Sequence, residues 1–214
     1  MTRVAIIGAG ISGLACARQV VKAGVSVVVF DKGRGIGGRV ATRRAGDLQF
    51  DHGAPFVRAQ RDDFSALLTS LTGGGSAASW TDDKRVTWTV GSPGMSAIPK
   101  AMGVGLDVRL GTQILKVTAD QFGWHLHYGE TQYVATHIVV TVPKPQIAGL
   151  LDYAHPLVAQ LGDVKMEPGL TLMAAVSGSA PLIAKNLSDD PLALITCDSS
   201  KPNRPLNESR SEER

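Results

Sequence analysis

Cysteine is almost absent from this chain, with two thiols, Cys16 and Cys197, in 214 residues. They stand far apart in unlike settings, so no disulfide framework is expected. Both read as small buried or half-buried thiols in a reducing compartment. Long apolar runs are also missing. None approaches the roughly 20 residues of a membrane span. The N-terminal apolar run is only about five residues long before glycines interrupt it, which does not suit a signal peptide. Together these absences predict a cytoplasmic protein with no membrane partner. Massed charge of one sign is lacking too. The net charge is +3 and the pI about 9.0, with Arg34, Arg39, Arg43 and Arg44 as the densest basic group. No nucleic-acid recognition motif accompanies that group, so an anionic cofactor explains it better than nucleic acid does.

What remains is an ordinary globular composition, 43% hydrophobic and 19% charged. The length suits one large domain, or one domain plus part of another, with a sizeable core. Residues 2 to 31 read as a βαβ unit. Val4, Ala5, Ile6 and Ile7 run without alternation, as in a strand buried on both faces. A helix is predicted from Ile11 to Ala23, with Ile11, Leu14, Ala15, Val20 and Val21 on one face and Arg18, Gln19 and Lys22 in water. Gly24 is placed to end it. Val25 to Phe30 is the second strand, and Asp31 stands at its tip.

Between the first strand and the helix lies Gly8-Ala9-Gly10-Ile11-Ser12-Gly13. Gly8 permits a tight turn, Gly10 lets backbone approach a pyrophosphate, and Gly13 allows close helix–strand packing. The helix N-terminus offers amides and a positive dipole end to phosphates, and Ser12 can add a hydroxyl. Asp31 is placed to accept hydrogen bonds from a ribose. A glycine pattern alone is a weak signal; with the flanking strand, helix and strand-end acid it reads as a dinucleotide site. A second glycine-rich loop follows, Lys32-Gly33-Arg34-Gly35-Ile36-Gly37-Gly38-Arg39, with Thr42 after it. Four glycines in six residues cannot form a helix interior. Such a loop can fold against an extended ligand, with Arg39 facing a pyrophosphate. A solvated surface loop is the alternative reading.

These motifs, with Phe50-Asp51-His52-Gly53-Ala54 and Ser92-Pro93-Gly94-Met95-Ser96, resemble the FAD-dependent amine-oxidase superfamily. Within it the wording is similar to that of the renalase-like bacterial oxidoreductases, from residue 1 to about residue 205. The resemblance implies an α/β fold: a Rossmann-type FAD-binding domain with a three-stranded antiparallel crossover meander, plus an incomplete antiparallel-sheet substrate domain. It implies FAD as cofactor. By matched position, Gly8, Gly10, Ser12, Gly13, Asp31, Lys32, Gly38, Arg39, Ala54, Pro55, Phe56 and Ile114 are the expected cofactor-binding residues. The family usually has Gln-Tyr after Gly-Ala, whereas this chain has Pro55-Phe56, and Pro55 offers no amide donor. The Pro-Gly-Met-Ser segment is implied to lie in the flavin neighbourhood.

Elsewhere, Phe64, Leu67, Leu68 and Leu71 have helical spacing that Gly73-Gly74-Gly75 ends, and Val86 to Val90 reads as a strand. Trp80 and Trp88 read as core packing rather than pocket lining. Ser96 is placed to cap a short helix containing Pro99. Leu106 to Leu110 and Phe122 to Tyr128 alternate as strands of an antiparallel meander, with turns near Asp120 and Gly129. His125 and His127 share one face of it; with no third ligand in view they read as a solvated strand face, not a metal site. His137 to Val142 is a predicted buried strand, and Pro143 and Pro145 open the next helix. Strands are expected at Leu170 to Val176 and Leu192 to Thr196. Ser199 to Arg214 is nearly all polar and reads as a disordered tail. The expected division is 1–58 with 100–150 for the FAD-binding domain, 59–99 with 151–198 for the substrate domain, and 199–214 for the tail.

The resemblance implies two-electron oxidation of a substrate C–H by FAD with O₂ as acceptor, the substrate being a small molecule: a dihydronicotinamide isomer or an amine. No side chain stands out as a catalytic acid or base. Family members continue with a strand ending in Gly-Asp and a last helix. Neither Gly46-Asp47 nor Gly162-Asp163 fits that segment, so a C-terminally shortened product is expected. Two alternatives stay open at this level: a non-catalytic dinucleotide-binding fragment, and an NAD(P)-dependent dehydrogenase, against which the second glycine loop argues.

Overall fold

The computed structural model describes residues 1–178, 184–186 and 193–205. In chain order it begins β1 (Arg3–Ile7), α1 (Ile11–Lys22), β2 (Ser26–Phe30), β3 (Thr42–Ala45) and β4 (Leu48–Asp51). Then come α2 (Asp62–Gly73), β5 (Ala77–Thr81), β6 (Thr87–Gly91), α3 (Ala97–Gly103) and β7 (Val108–Arg109). Next are β8 (Lys116–Asp120), β9 (Gly123–Tyr128), β10 (Thr131–Ala135), β11 (His137–Val140), α4 (Lys144–Leu151) and α5 (Pro156–Gln160). The last are β12 (Ala184–Asn186), β13 (Leu194–Thr196) and a 3₁₀ turn at Asp198–Ser200. Among the described residues no helix is long and apolar enough to cross a membrane.

Two compact units form. The first joins Met1–Gly38 to Met102–Leu170, and the second joins Arg39–Ala101 to Thr171–Arg214. The first unit therefore leaves at Gly38, where the expected division continued to residue 58.

The first unit holds a four-stranded parallel sheet in the order β11-β1-β2-β7. The unbroken apolar run of β1 fits its central place: Val4 to Ile7 are all buried, with strands on both sides. Helix α1 buries Gly13, Leu14 and Ala17. Its apolar face is narrower than the spacing suggests, because Val21 is exposed. Gly24, at φ +75°, follows the helix as expected. A separate antiparallel sheet, β10-β9-β8, is the predicted meander. Phe30, Val117, Leu126, Ala135, Leu150 and Leu151 share one core, so sheet, meander and α4 bury their apolar faces together.

Three expectations are corrected here. Leu106 to Leu110 is not part of the meander: only Val108 and Arg109 form a strand, parallel to β2. Alternation alone does not distinguish a parallel edge strand from a hairpin strand. Strand β11 is the sheet's edge and is half-buried rather than buried. Phe122 sits in the tight turn between β8 and β9 and is exposed.

The second unit contains two hairpins, β3–β4 and β5–β6, and the short pair β12–β13. Helix α2 buries Leu68 and Leu71 and ends at the predicted glycines. Leu170 to Val176 forms no strand, and Leu170, Leu172 and Val176 are exposed. Its alternating apolar pattern finds no neighbouring strand among the described residues. Leu192 lies outside the described residues, and the strand predicted there runs over Leu194–Thr196. The polar stretch after Ser199 is also corrected in part. Lys201 and Arg204 are buried, while residues 206–214 lie outside the described residues.

Candidate functional site

In the first unit the two glycine loops lie backbone against backbone. The Gly37 amide donates to the Ala9 carbonyl at 3.0 Å, and Gly10 and Gly37 form a parallel bridge. Gly38, at φ +55°, leaves only 3.5 Å between its missing Cβ and the Gly10 Cα. Asp31 fastens this arrangement. One carboxylate oxygen accepts from the Ala9 amide at 2.6 Å and the other from the Gly33 amide at 2.7 Å. Each oxygen keeps a lone-pair direction for a further donor, such as a ribose hydroxyl.

The glycines of the first loop separate by role. Gly8 has φ +112°, and a Cβ there would stand 2.6 Å from Thr141 Oγ1. A Cβ on Gly13 would stand 1.9 Å from the Gly8 carbonyl oxygen. Both are therefore demanded by packing inside the protein. At Gly10, by contrast, a Cβ would meet nothing within 4 Å. Gly10 is the N-cap of α1, and the first helical backbone bond runs from the Leu14 amide to its carbonyl. The amides of Ile11, Ser12 and Gly13 thus precede the hydrogen-bond ladder, and no acidic residue occupies the first turn. Open space over Gly10 next to these donors fits a phosphate.

The remaining expected residues of this unit have mixed surroundings. Ser12 and Gly38 are exposed. The Lys32 ammonium donates to Gln146 Oε1 at 3.1 Å. Ile114 has its side chain in the core. It follows a loop held to the Asp31 region by the Thr112 amide on the Asp31 carbonyl, 2.8 Å, and the Gly111 amide on the Gly33 carbonyl, 2.8 Å.

In the second unit Arg39 is exposed and, among the described residues, its guanidinium is in no ion pair. Its carbonyl accepts from the Ala54 amide at 2.9 Å, and a Cβ on Gly53 would stand 2.1 Å from that carbonyl oxygen. The Ala54 amide is therefore already engaged within the protein. Pro55 has no amide to offer, and the Phe56 ring stacks on Trp88 at 4.2 Å. Trp80 is buried, lies 6.1 Å from Phe56, and donates from its indole to Ser200 Oγ. Trp88 donates to Asp82 Oδ2. Both tryptophans are packing residues, as the sequence suggested.

Sequence reasoning missed a buried charge cluster at Asp51. Its Oδ1 accepts from Thr42 Oγ1 at 2.8 Å and from the Met95 amide at 2.9 Å. Its Oδ2 accepts from Lys201 Nζ at 3.0 Å and from Arg204 Nη2. The Asp51 amide donates to Asp198, which also takes Lys201. Burial would raise the Asp51 pKa, but Lys201, the Met95 amide, Arg204 and Thr42 together hold it below the usual carboxylate range. Thr42, Asp51 and Met95 each stood in a motif quoted above. Their meeting was hidden because Lys201 and Arg204 lie in a stretch whose composition reads as solvated.

His125 is on the meander face shared with His127. Its Nε2 lies 3.0 Å from Asp120 Oδ1, its Nδ1 is 3.2 Å from Gln132 Oε1, and His127 pairs with Thr118. Among the described residues no group of three metal-ligating side chains occurs. An apolar cavity of about 390 Å³ lies in the first unit beside β11, α4 and α5, lined by Trp124, Ile138, Val140, Ile147 and Leu151 among others. It contains none of the expected cofactor residues.

A family model described as an NAD(P)-binding Rossmann-like domain matches residues 6–71. A Mycobacterium tuberculosis protein assigned as a flavin-containing monoamine oxidase, AofH, is 38% identical over 68 residues, 32% of this chain and 15% of that one. Protoporphyrinogen oxidase 2 of Arabidopsis thaliana is 35% identical over 69 residues, again 32% of this chain and 14% of that one. Among solved structures, a protein assigned as a protoporphyrinogen oxidase from Exiguobacterium sp. 255-15 matches with a TM-score of 0.59 at 14% identity, over 75% of this chain and 64% of that one. Putrescine oxidase bound to putrescine matches with a TM-score of 0.57 at 14% identity, over 71% and 60%. The fold is that of these oxidases. The chain spans less than two thirds of each of them. A fatty acid isomerase from P. acnes has the fold as well, with a TM-score of 0.59 at 12% identity, so the fold by itself does not name the reaction.

Proposed function

We propose that the chain binds FAD and serves as a FAD-dependent oxidoreductase. The observation that carries this reading is the double glycine cradle: two loops paired through Gly10 and Gly37, fastened by Asp31, with open space over Gly10. The cradle fits the group. The α1 amides and Ser12 would face the pyrophosphate, and Asp31 the adenosine ribose. Gly8, Gly13 and Gly38 shape the loops, Ile114 would meet the adenine through backbone, and Lys32 flanks the ribose end. In the second unit Arg39 would supply the neutralising guanidinium, and Ala54, Pro55 and Phe56 the segment that meets the ring. The flavin-containing oxidase named above supports FAD over a nicotinamide cofactor, as does the second glycine loop.

When bound, FAD would supply two-electron oxidation of a substrate C–H, with O₂ as the electron acceptor. The protein's own part is to hold, orient and exclude water. By the resemblance, the substrate is a dihydronicotinamide isomer or an amine. A second reading, dinucleotide binding without turnover, draws on the engaged Ala54 amide and the missing amide of Pro55.

The test is titration of the purified chain with FAD, followed by flavin fluorescence, then anaerobic mixing with dihydronicotinamide isomers or amines. Saturable FAD binding and bleaching of the flavin bands by one substrate class are expected. Binding with no bleaching selects the second reading. No FAD binding, with tight NAD(P)H binding instead, overturns the proposal in favour of a dehydrogenase.

A further inference from the structure

The cluster around Asp51 does more than fill the second unit's interior. The side chains of Asp51 and Lys201 are fully buried, and that of Arg204 is 4% exposed. Two carboxylates, Asp51 and Asp198, face two cations, so the buried charge is balanced. A lone buried carboxylate would take up a proton, and a protonated Asp51 would compete as a donor with the groups it now accepts from. Ionised, it only accepts. The Thr42 hydroxyl must then point its proton at Asp51, which leaves its lone pairs to the Ser96 amide at 3.0 Å. The same carboxylate holds the Met95 amide. Arg204 adds a bond from Nη1 to the Gly91 carbonyl at 2.7 Å, and Asn203 one to Ser92 Oγ at 2.9 Å. The Pro-Gly-Met-Ser turn is thereby tied at both ends.

The cluster also sets the start of the β3–β4 hairpin. Thr42 and Asp51 are partners across β3 and β4. Three residues beyond the end of each strand lie Arg39 and Ala54, joined by the Ala54 amide on the Arg39 carbonyl. We infer that Lys201 and Arg204 are positioning residues, which act through Asp51 to hold Arg39, Ala54 and the Pro-Gly-Met-Ser turn in the geometry that FAD requires. This rests on the FAD reading given above. Neither cation need touch the cofactor.

The test uses the full 214-residue chain and two readouts: amide hydrogen exchange by NMR and FAD affinity by fluorescence quenching. Lys201→Met leaves the buried carboxylates in excess. Exchange at the Ala54 and Ser96 amides, neither bonded to Lys201, is expected to quicken at least about tenfold while Val90 and Leu71 keep their protection. FAD affinity is expected to fall about tenfold, since one missing partner leaves a buried charge uncompensated. The double variant Asp51→Asn with Lys201→Met keeps one carboxylate, Asp198, and one cation, Arg204, so the buried charge is balanced again. Because Lys201 acts through Asp51, this variant is expected to bind FAD no more weakly than the Asp51→Asn single variant does, a non-additivity that only coupled groups show. It also serves if the single variant does not fold. Unchanged exchange at Ala54 and Ser96, equal acceleration at Val90, or wild-type FAD affinity in a folded Lys201→Met chain each overturn the inference. So does a double variant no better than the sum of its parts. If the wild type binds no FAD yet the exchange pattern appears, the FAD reading falls while the positioning of Arg39 and Ala54 stands.

Discussion

Two glycines only three positions apart illustrate how a residue's surroundings divide structure from function. Gly13 has a backbone oxygen 1.9 Å from where a Cβ would sit, and Gly10 has nothing within 4 Å. Gly13→Ala must push apart the turn and the helix. Overpacking of that kind costs about 1–3 kcal/mol, more than the roughly 1 kcal/mol that Ala contributes over Gly within a helix. Gly10, at φ −75°, has a backbone that alanine adopts freely, and its loss as an N-cap costs about 1 kcal/mol or less. Thermal melts should therefore show Gly13→Ala well below wild type and Gly10→Ala close to it. FAD titration should show Gly10→Ala impaired at least about tenfold, because the methyl enters the space kept for phosphate. Equal melting temperatures for the two variants would contradict this division. A second residue-scale prediction concerns His125. The hydrogen bond to Asp120 raises its pKa against the opposing effect of desolvation, and Gln132 assists. A raised histidine pKa stabilises the fold fully below the ordinary 6.5 and loses that contribution as pH rises through the folded value. NMR titration should place His125 above the ordinary 6.5, and Asp120→Asn should bring it back down.

At the scale of elements, agreement with the sequence follows how local the deciding force is. β1, α1, β2 and α2 are set by short-range periodicity and glycine punctuation, and their limits are nearly those predicted. Of the meander, β9 and its flanking turns were legible from the alternation over Phe122 to Tyr128, whereas β8 and β10 have too few large apolar residues to stand out. Hairpin β3–β4 was not, because Thr42-Arg43-Arg44-Ala45 has no apolar alternation; Thr42–Asp51 pairing and the distant Lys201 hold it instead. Of the candidate site, the first-unit glycines and Asp31 were readable from spacing. The Asp51 cluster was not, since no local pattern links residues 147 to 153 positions apart. Leu170 to Val176 shows the opposite failure: strong strand character with no partner strand among the described residues. Limited proteolysis is expected to cut first within 165–178, ahead of the β5–β6 hairpin or α2. Early cleavage in either of those elements would argue against the exposed state of this segment.

For the whole molecule, acid is the telling variable. Asp51 has a depressed pKa, so its contribution is present above the ordinary value of 3.8 and is lost as pH falls through the lower folded value. Unfolding followed by tryptophan fluorescence should therefore show a steep acid transition below about pH 4, since Trp80 packs against Lys201 at 5.7 Å. Asp51→Asn should flatten that transition while lowering stability at pH 7. An acid transition of unchanged steepness would place the sensitive group elsewhere. The same cluster has a consequence in time. Asp51 leaves the ribosome 150 residues ahead of Lys201, an interval of about 8–30 s at ordinary rates of synthesis. Throughout that interval the nascent hairpin carries a carboxylate whose counter-charges have not yet been made. The second unit can therefore close only after Lys201 has been made, and a ribosome stalled before residue 201 would display it open to chaperones.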